Sequence, residues 1–402
     1  MSPESPGRLP SIDIVRGAIL FLMALDHVRI YFSDAQFSAV DPERTHLLLF
    51  LIRWVTHYCA PGFYLLAGMS IWLYCNSLRD RREASLFLLT RGAWLILLEL
   101  TIVGLAWSFN PGWSWLGVIW SLGWSFILMA LLVHVPIRPL FWTSAAVVFV
   151  HAVPGDWYFD GLTGPPGPVA TVLYVSGPVE LPLLGQKGVL YSIFPWAAMM
   201  SMGFALGPWF TESVAMRRNR FLRAGLGMVL LFIVLRVTNF YGNPAQIWAG
   251  WSGEFAVGDS LPRTFINLLN TDKYPPSPQF ALMTFGPLFI ALGLLASGDA
   301  RNRTSSATRV LRLTGQAPMF FYVTHLYLIH GLALFTAIVA GKDTTILFWD
   351  GVYPQLRPPD GYGYGDWTVL AIWLAICAVL YGLCRQYRRL ESTRPCRWLR
   401  YI

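Results

Sequence analysis

Ten apolar stretches recur along the chain, most of them near the ~20 helical residues needed to cross a bilayer core. They fall at 14–32, 47–75, 87–107, 114–134, 139–153, 189–208, 222–239, 280–297, 316–339 and 367–384, the fifth being the shortest. So many runs leave little room for a water-facing surface. Only 13% of the 402 residues are charged, against about 25% in a soluble globular chain. The 18 Trp, 17 Tyr and 26 Phe suit headgroup-level belts as well as cores. Disorder and an ordinary soluble enzyme are excluded. The expectation is an all-α, polytopic integral membrane bundle of about ten transmembrane helices, forming a single domain over 1–402.

Charge position fixes the expected orientation. Of the 30 Lys and Arg, 21 lie in the N-terminus through Arg16, in 77–91, 134–138, 208–223 and 299–312, and in 384–402; eight lie on the opposite side. Basic residues gather on the cytoplasmic side, so both termini are predicted there, which requires an even number of spans. The net charge of +8 comes with no nucleic-acid-binding motif, so no nucleic-acid partner is expected. Five cysteines without a CxxC pair speak against a disulfide framework or a zinc site. The first apolar run ends in Asp26-His27 with no small-residue cleavage site after it, and reads as a first span rather than a cleaved signal. The opposite-side loops 154–188, 240–279 and 340–366 are long and Pro/Gly/Trp-rich. Loops of that size usually build a binding surface.

Ionisable residues inside spans are costly unless they pair or line a wet cavity. Arg16 and His27 are eleven residues apart, which is 20° beyond three full turns, so they share a helix face about 16 Å apart along the axis. Asp13 stands three residues before Arg16, close enough to pair. Asp26 points about 100° away from His27. Arg53 and His57 form an i,i+4 pair before Cys59-Ala60-Pro61-Gly62, where the helix is expected to bend or unwind. Glu99, Arg236 and Asn239 lie within or near spans, and Glu99 could neutralise Arg236. Tyr322 and His325 share a face at i,i+3, and His330 follows; a His on such an aromatic face is more often packed than catalytic. His46, His134 and His151 read as loop or interface residues. Neither a Ser nucleophile elbow, a P-loop, a dinucleotide fingerprint nor a metal-ligand cluster is present. The residues alone support a membrane-embedded transferase using histidine acid-base or acyl-transfer chemistry, or a proton-coupled transporter with His27, Glu99 and Arg236 as a relay. A structural scaffold explains the hydrophobicity but not the buried charges.

Arg8-Leu9-Pro10-Ser11-Ile12-Asp13-Ile14-Val15-Arg16-Gly17, followed by Met23 and Asp26-His27, resembles the opening of the heparan-α-glucosaminide N-acetyltransferase-like membrane family. An Arg, ten intervening residues and a His in the first span also resembles the bacterial O-acetylating membrane acyltransferases. Further similar segments are Arg53-Trp54 with His57 and Cys59-Ala60-Pro61, Pro195-Trp196 through Gly203 and Gly207, Asn239-Phe240-Tyr241-Gly242, Asn267 with Lys273-Tyr274-Pro275-Pro276-Ser277, and Phe321-Tyr322 with His325 and His330. The resemblance implies a ten-helix acyltransferase that takes an acyl group from cytosolic acyl-CoA, usually acetyl-CoA. The acyl group passes to a hydroxyl or amine of a carbohydrate or glycolipid on the far side. It implies no metal, a multi-pass protein of the bacterial inner membrane in contact with membrane lipid, and leaves room for a homodimer. On this resemblance the catalytic histidine is expected to be His27, with Asp26 nearby, His57, or both: the lysosomal branch places it after the first span, where His46 or His57 could correspond, and the bacterial branch at that span's end, which is His27. Arg16, paired with Asp13, is expected on the donor side, and Arg53, Lys273, Tyr274 and His325 on the acceptor side.

Overall fold

The structure is a computed structural model that describes residues 9–110, 115–150, 167–182, 184–243, 253–301, 305–348 and 361–393. His151, Arg357, Cys396 and parts of the three long loops lie outside the described residues. The helices are α1 (Pro10–Phe32), α2 (Leu47–Val55), α3 (Cys59–Ser77), α4 (Arg81–Leu98), α5 (Gly104–Ser108), α6 (Val118–Leu132), α7 (Ile137–Val150), α8 (Ile193–Ala205), α9 (Val214–Thr238), α10 (Leu261–Leu269), α11 (Pro278–Arg301), α12 (Ser306–Gly315), α13 (Pro318–Val339) and α14 (Asp366–Thr393). Each of the ten apolar stretches contains helix among the described residues. Among the described residues, five helices are long and apolar enough to cross a membrane: Arg81–Ser108, Val214–Thr238, Pro278–Asp299, Pro318–Val339 and Asp366–Thr393. Helix α1 is long enough but carries Asp13, Arg16, Asp26 and Arg29, and every 18-residue window in it holds at least three charges. The second stretch is interrupted by a 3-10 turn at Thr56–Tyr58. The break precedes Pro61, which then sits in the first turn of α3, where a missing N–H is tolerated.

The chain gathers into two compact units. The first comprises Met1–Cys59, Thr101–Trp113 and Gly298–Ile402; the second comprises Ala60–Leu100 and Ser114–Ser297. In the first unit, α1 lies directly on α12. A Cβ on Gly17 would fall 1.9 Å from the Leu311 carbonyl oxygen, and one on Gly315 would fall 1.9 Å from that of Asp13. The two backbones therefore touch, and only glycine permits that approach. Asp299 caps the start of α1, accepting from the Ser11 N–H at 2.7 Å and from its hydroxyl at 2.8 Å. The Trp373 indole N–H donates to the Phe21 carbonyl at 2.8 Å, tying α14 to the middle of α1.

In the second unit, α4 and α6 pack at Gly92 and Gly123, where added methyl groups would meet opposing backbone oxygens at 2.5 and 2.7 Å. This unit also departs from the all-α expectation. Strands β1 (Trp115–Leu116), β2 (Gly177–Leu181) and β3 (Gly185–Val189) form a small sheet in the order β1-β3-β2. Strands β2 and β3 are an antiparallel hairpin with Gly177 opposite Val189, and β1 pairs parallel to β3. Leu116, Val179 and Val189 on the sheet bury against Trp120 and Ile193 at the starts of α6 and α8. Apolar periodicity over so few residues, set among Gly and Pro, is too short to signal strands.

Candidate active site

Helix α1 buries Ser11 and Asp13 in its first turn and His27 near its other end. His27 and His325, both buried, come together 298 residues apart in sequence: His27 Nδ1 is 2.6 Å from His325 Nε2, and the rings are near-parallel with centroids 4.9 Å apart. The second ring nitrogen of His325, Nδ1, lies 3.0 Å from the Phe321 carbonyl oxygen. A carbonyl can only accept, so in the neutral pair His325 Nδ1 carries its proton and Nε2 its lone pair. His27 Nδ1 must then donate, which leaves the lone pair of His27 on Nε2. The Trp107 ring packs edge-on against His27 at 4.7 Å. Tyr322 and His325 do share a face, with ring centroids 5.4 Å apart. What the sequence did not reveal is the partner of His325: it stands against His27, the residue singled out at the end of the first span.

Asp26 faces a different set of groups. Its Oδ1 accepts from Arg29 at 3.0 and 3.3 Å, and its Oδ2 accepts from Arg53 at 3.1 Å. One carboxylate thus holds two guanidinium groups beside His27. Arg53 also donates to the Thr56 hydroxyl at 2.8 Å. The helix tightens between Arg53 and His57, so these two are not a plain i,i+4 pair of one α-helix. His57 is buried, and its Nδ1–H donates to the Trp54 carbonyl at 3.1 Å. At the other end of α1, Arg16 pairs with Asp13 at 2.9 Å, as the spacing predicts, and donates to the Gly315 carbonyl at 3.2 Å. Gln316 donates to the second Asp13 oxygen at 3.3 Å.

Lys273 and Tyr274 belong to the second unit. The Lys273 ammonium lies 5.0 Å from the Tyr274 ring and 5.6 Å from the Tyr191 ring, within cation–π range. The two tyrosine hydroxyls are 3.3 Å apart. Neighbouring Asp272 is buried, and among the described residues neither carboxylate oxygen has a hydrogen-bond partner. Burial pushes its pKa well above the usual carboxylate range, with Arg236 opposing that effect. Glu99 and Arg236 do not neutralise each other. Glu99 Oε1 accepts from the Gly117 N–H at 3.1 Å, capping the start of α6. Arg236 donates to four carbonyls, those of Asn267, Gly253, Asn270 and Leu268, at 2.6, 2.8, 2.9 and 3.2 Å. Among the described residues no group of three His, Cys, Asp or Glu is arranged to hold a metal ion.

The family model described as heparan-alpha-glucosaminide N-acetyltransferase, catalytic, matches residues 8–238, more than half of the chain. The chain belongs to this family. Membership in the heparan-alpha-glucosaminide N-acetyltransferase family, together with the long apolar helices, makes it a membrane protein of the acetyltransferase type. No curated protein sequence matches the chain. Within the acetyltransferase match fall Asp13, Arg16, Asp26, His27, Arg53 and His57, whereas Lys273, Tyr274 and His325 lie beyond its end. The partner of His27 is thus supplied by a part of the chain that the family match does not reach.

Proposed function

We propose that the protein transfers an acetyl group from cytosolic acetyl-CoA to a hydroxyl or amine of a carbohydrate or glycolipid on the opposite side of the membrane, with His27 as the reacting imidazole. The hydrogen-bonded chain from the Phe321 carbonyl through His325 to His27 Nδ1 carries this reading. It gives His27 one tautomer and one orientation, with the basic lone pair on Nε2. In direct transfer, Nε2 takes the acceptor's proton as the acceptor oxygen or nitrogen attacks the thioester carbonyl. The C–S bond breaks, and the leaving thiolate collects that proton. In the two-step route, Nε2 itself attacks, the thiolate leaves, and the acceptor then displaces the imidazole, the proton it loses balancing the one the thiolate takes up. Both routes use the same nitrogen, and an imidazole near its ordinary pKa of about 6.5 suits either.

His325 is assigned the orienting role, since its Nε2 is committed to His27. His57, which donates to its own helical turn, is the weaker candidate for the catalytic imidazole. Arg16 and Asp13 are assigned to the donor at the cytoplasmic edge, and Arg53, Lys273 and Tyr274 to the acceptor. Ten spans with both termini in the cytoplasm, as in a bacterial inner membrane, accommodate this sidedness, because the basic segments would meet the anionic CoA. The test is acetyl transfer from labelled acetyl-CoA by purified protein, comparing wild type with His27→Ala and His57→Ala. The expected result is a loss of roughly 10²- to 10⁴-fold for His27→Ala and a far smaller loss for His57→Ala. Full activity in His27→Ala would overturn the assignment.

A further inference from the structure

His330 stands five residues beyond His325 on α13, and it is wholly buried. Both of its ring nitrogens face carbonyl oxygens: Nδ1 is 2.8 Å from Ala106 O, and Nε2 is 2.8 Å from Leu347 O. A neutral imidazole has one N–H and one lone pair. In either neutral tautomer, one lone pair would therefore face a carbonyl lone pair at 2.8 Å with no proton between them. An imidazolium, with two N–H groups, satisfies both carbonyls. Its two faces are covered by aromatic rings, Phe109 at 3.7 Å and 7° and Tyr31 at 4.7 Å and 26°. Aromatic faces favour a cation, so two carbonyls and two rings replace the water that a buried charge otherwise lacks. Phe109 adopts a left-handed backbone, φ 46°, which is an outlier for a bulky residue. Phe109 closes α5 as a left-handed C-cap, its N–H donating to the Leu105 carbonyl at 2.8 Å, and from there its ring stacks on His330.

We propose that His330 is a fixed imidazolium and a positioning residue for the His27–His325 pair. Two links join it to that pair. The Tyr31 ring that covers His330 is one helical turn beyond His27, and its hydroxyl donates at 2.5 Å to the carbonyl of Trp107, whose ring packs on His27. The cation thereby fixes the aromatic wall of His27. The second link is charge. Five residues at 1.5 Å each put His330 about 7.5 Å along the helix from His325, and a fixed positive charge at that range disfavours a further proton on the pair. The pair stays neutral, with its Nε2 lone pair available at neutral pH.

Among the described residues, charged or titratable groups near the pair include Asp26, next to His27 and held between Arg29 and Arg53, Tyr322, whose ring lies 5.4 Å from that of His325, and the phenols of Tyr31 and Tyr362 on the His330 side. The Tyr362 hydroxyl donates to the Tyr31 carbonyl at 3.0 Å. Asp26 with its two arginines carries one net positive charge and acts in the same direction as His330.

The link to acetyl transfer rests on the role given to His27 above, but the protonation states can be read without any activity. The full-length protein, labelled with ¹⁵N-histidine and held in lipid nanodiscs, is followed by NMR as pH is raised. One histidine is expected to keep both nitrogens protonated at least two pH units above the ordinary imidazole pKa of about 6.5, and its signal should vanish in His330→Gln. In that variant the proton uptake of the His27–His325 pair should move to higher pH. If His330→Gln does not fold, Phe109→Leu, which removes one aromatic face, should lower the pH at which the imidazolium signal is lost. A neutral-tautomer signal for His330 at neutral pH overturns the fixed charge. An unshifted His27–His325 titration in His330→Gln overturns the coupling, and loss of the imidazolium signal at the same pH in Phe109→Leu as in wild type overturns the aromatic support of the charge.

Discussion

The His27 cluster of the first unit and the Arg236 site of the second treat their polar groups in opposite ways. In the first unit, His27 meets His325, and Asp26 meets Arg29 and Arg53: side chain faces side chain, and a proton can move between the two imidazoles. In the second unit, Arg236 is spent on four backbone carbonyls, and one oxygen of Glu99 accepts from the N-terminus of a helix. A buried charge satisfied by the backbone is a clamp. Paired imidazoles oriented by a carbonyl are a device for proton transfer. Burial of an ionisable group in a span therefore identifies a functional site only when its partners are also known.

Four substitutions probe this difference, the largest effect first. His27→Ala should lower acetyl transfer by roughly 10²- to 10⁴-fold while leaving the thermal unfolding midpoint near wild type; an equal fall in stability would make His27 a clamp like Arg236. Arg236→Met should do the reverse. It strips a charged donor from four carbonyls, and a loss of about 3 kcal/mol or more is expected, since hydrogen bonds to charged groups contribute about 1.5–3 kcal/mol each. Denaturant or thermal unfolding in detergent would show it, and unchanged stability would erase the contrast between the units. Gly17→Ala should cost about 1–3 kcal/mol through overpacking, because its methyl would collide with the Leu311 carbonyl and push α12 off α1. A neutral result there would mean that the two helices are not in backbone contact.

The smallest effect concerns Asp272, whose raised pKa comes first from burial. A carboxyl with a folded pKa above its unfolded value of about 3.9 opposes folding once pH exceeds that unfolded value. The penalty grows until the folded pKa is passed. Asp272→Asn should therefore raise the unfolding midpoint at neutral pH and leave it unchanged below the unfolded pKa. A lower midpoint at neutral pH would mean that the Arg236 charge outweighs desolvation.

Legibility in the sequence followed the range of the interactions. Apolar runs placed helices at all ten stretches because burial in lipid or core is a local property of about 20 residues. The Asp13–Arg16 pair was readable from its spacing, and so was the shared face of Tyr322 and His325. The pairing of His27 with His325 was not, since no spacing rule joins residues 298 positions apart. The sheet of 115–116, 177–181 and 185–189 was hidden for the same reason, as β1 must find β3 across more than sixty residues. The sequence points to a bend at Cys59-Ala60-Pro61-Gly62, whereas the break falls just before it, at Thr56–Tyr58. That proline instead starts the next helix.

The central claim is that His27 and His325 act as one unit. A double-mutant cycle measures this directly: acetyl transfer from labelled acetyl-CoA by His27→Ala, His325→Ala and the double variant, each checked for folding. Residues that act together are strongly non-additive. The prediction is that His27→Ala and the double variant have the same residual rate, with His325→Ala between them and wild type. If the two losses multiply in the double variant, the histidines contribute independently and the hydrogen bond between them does not carry the chemistry.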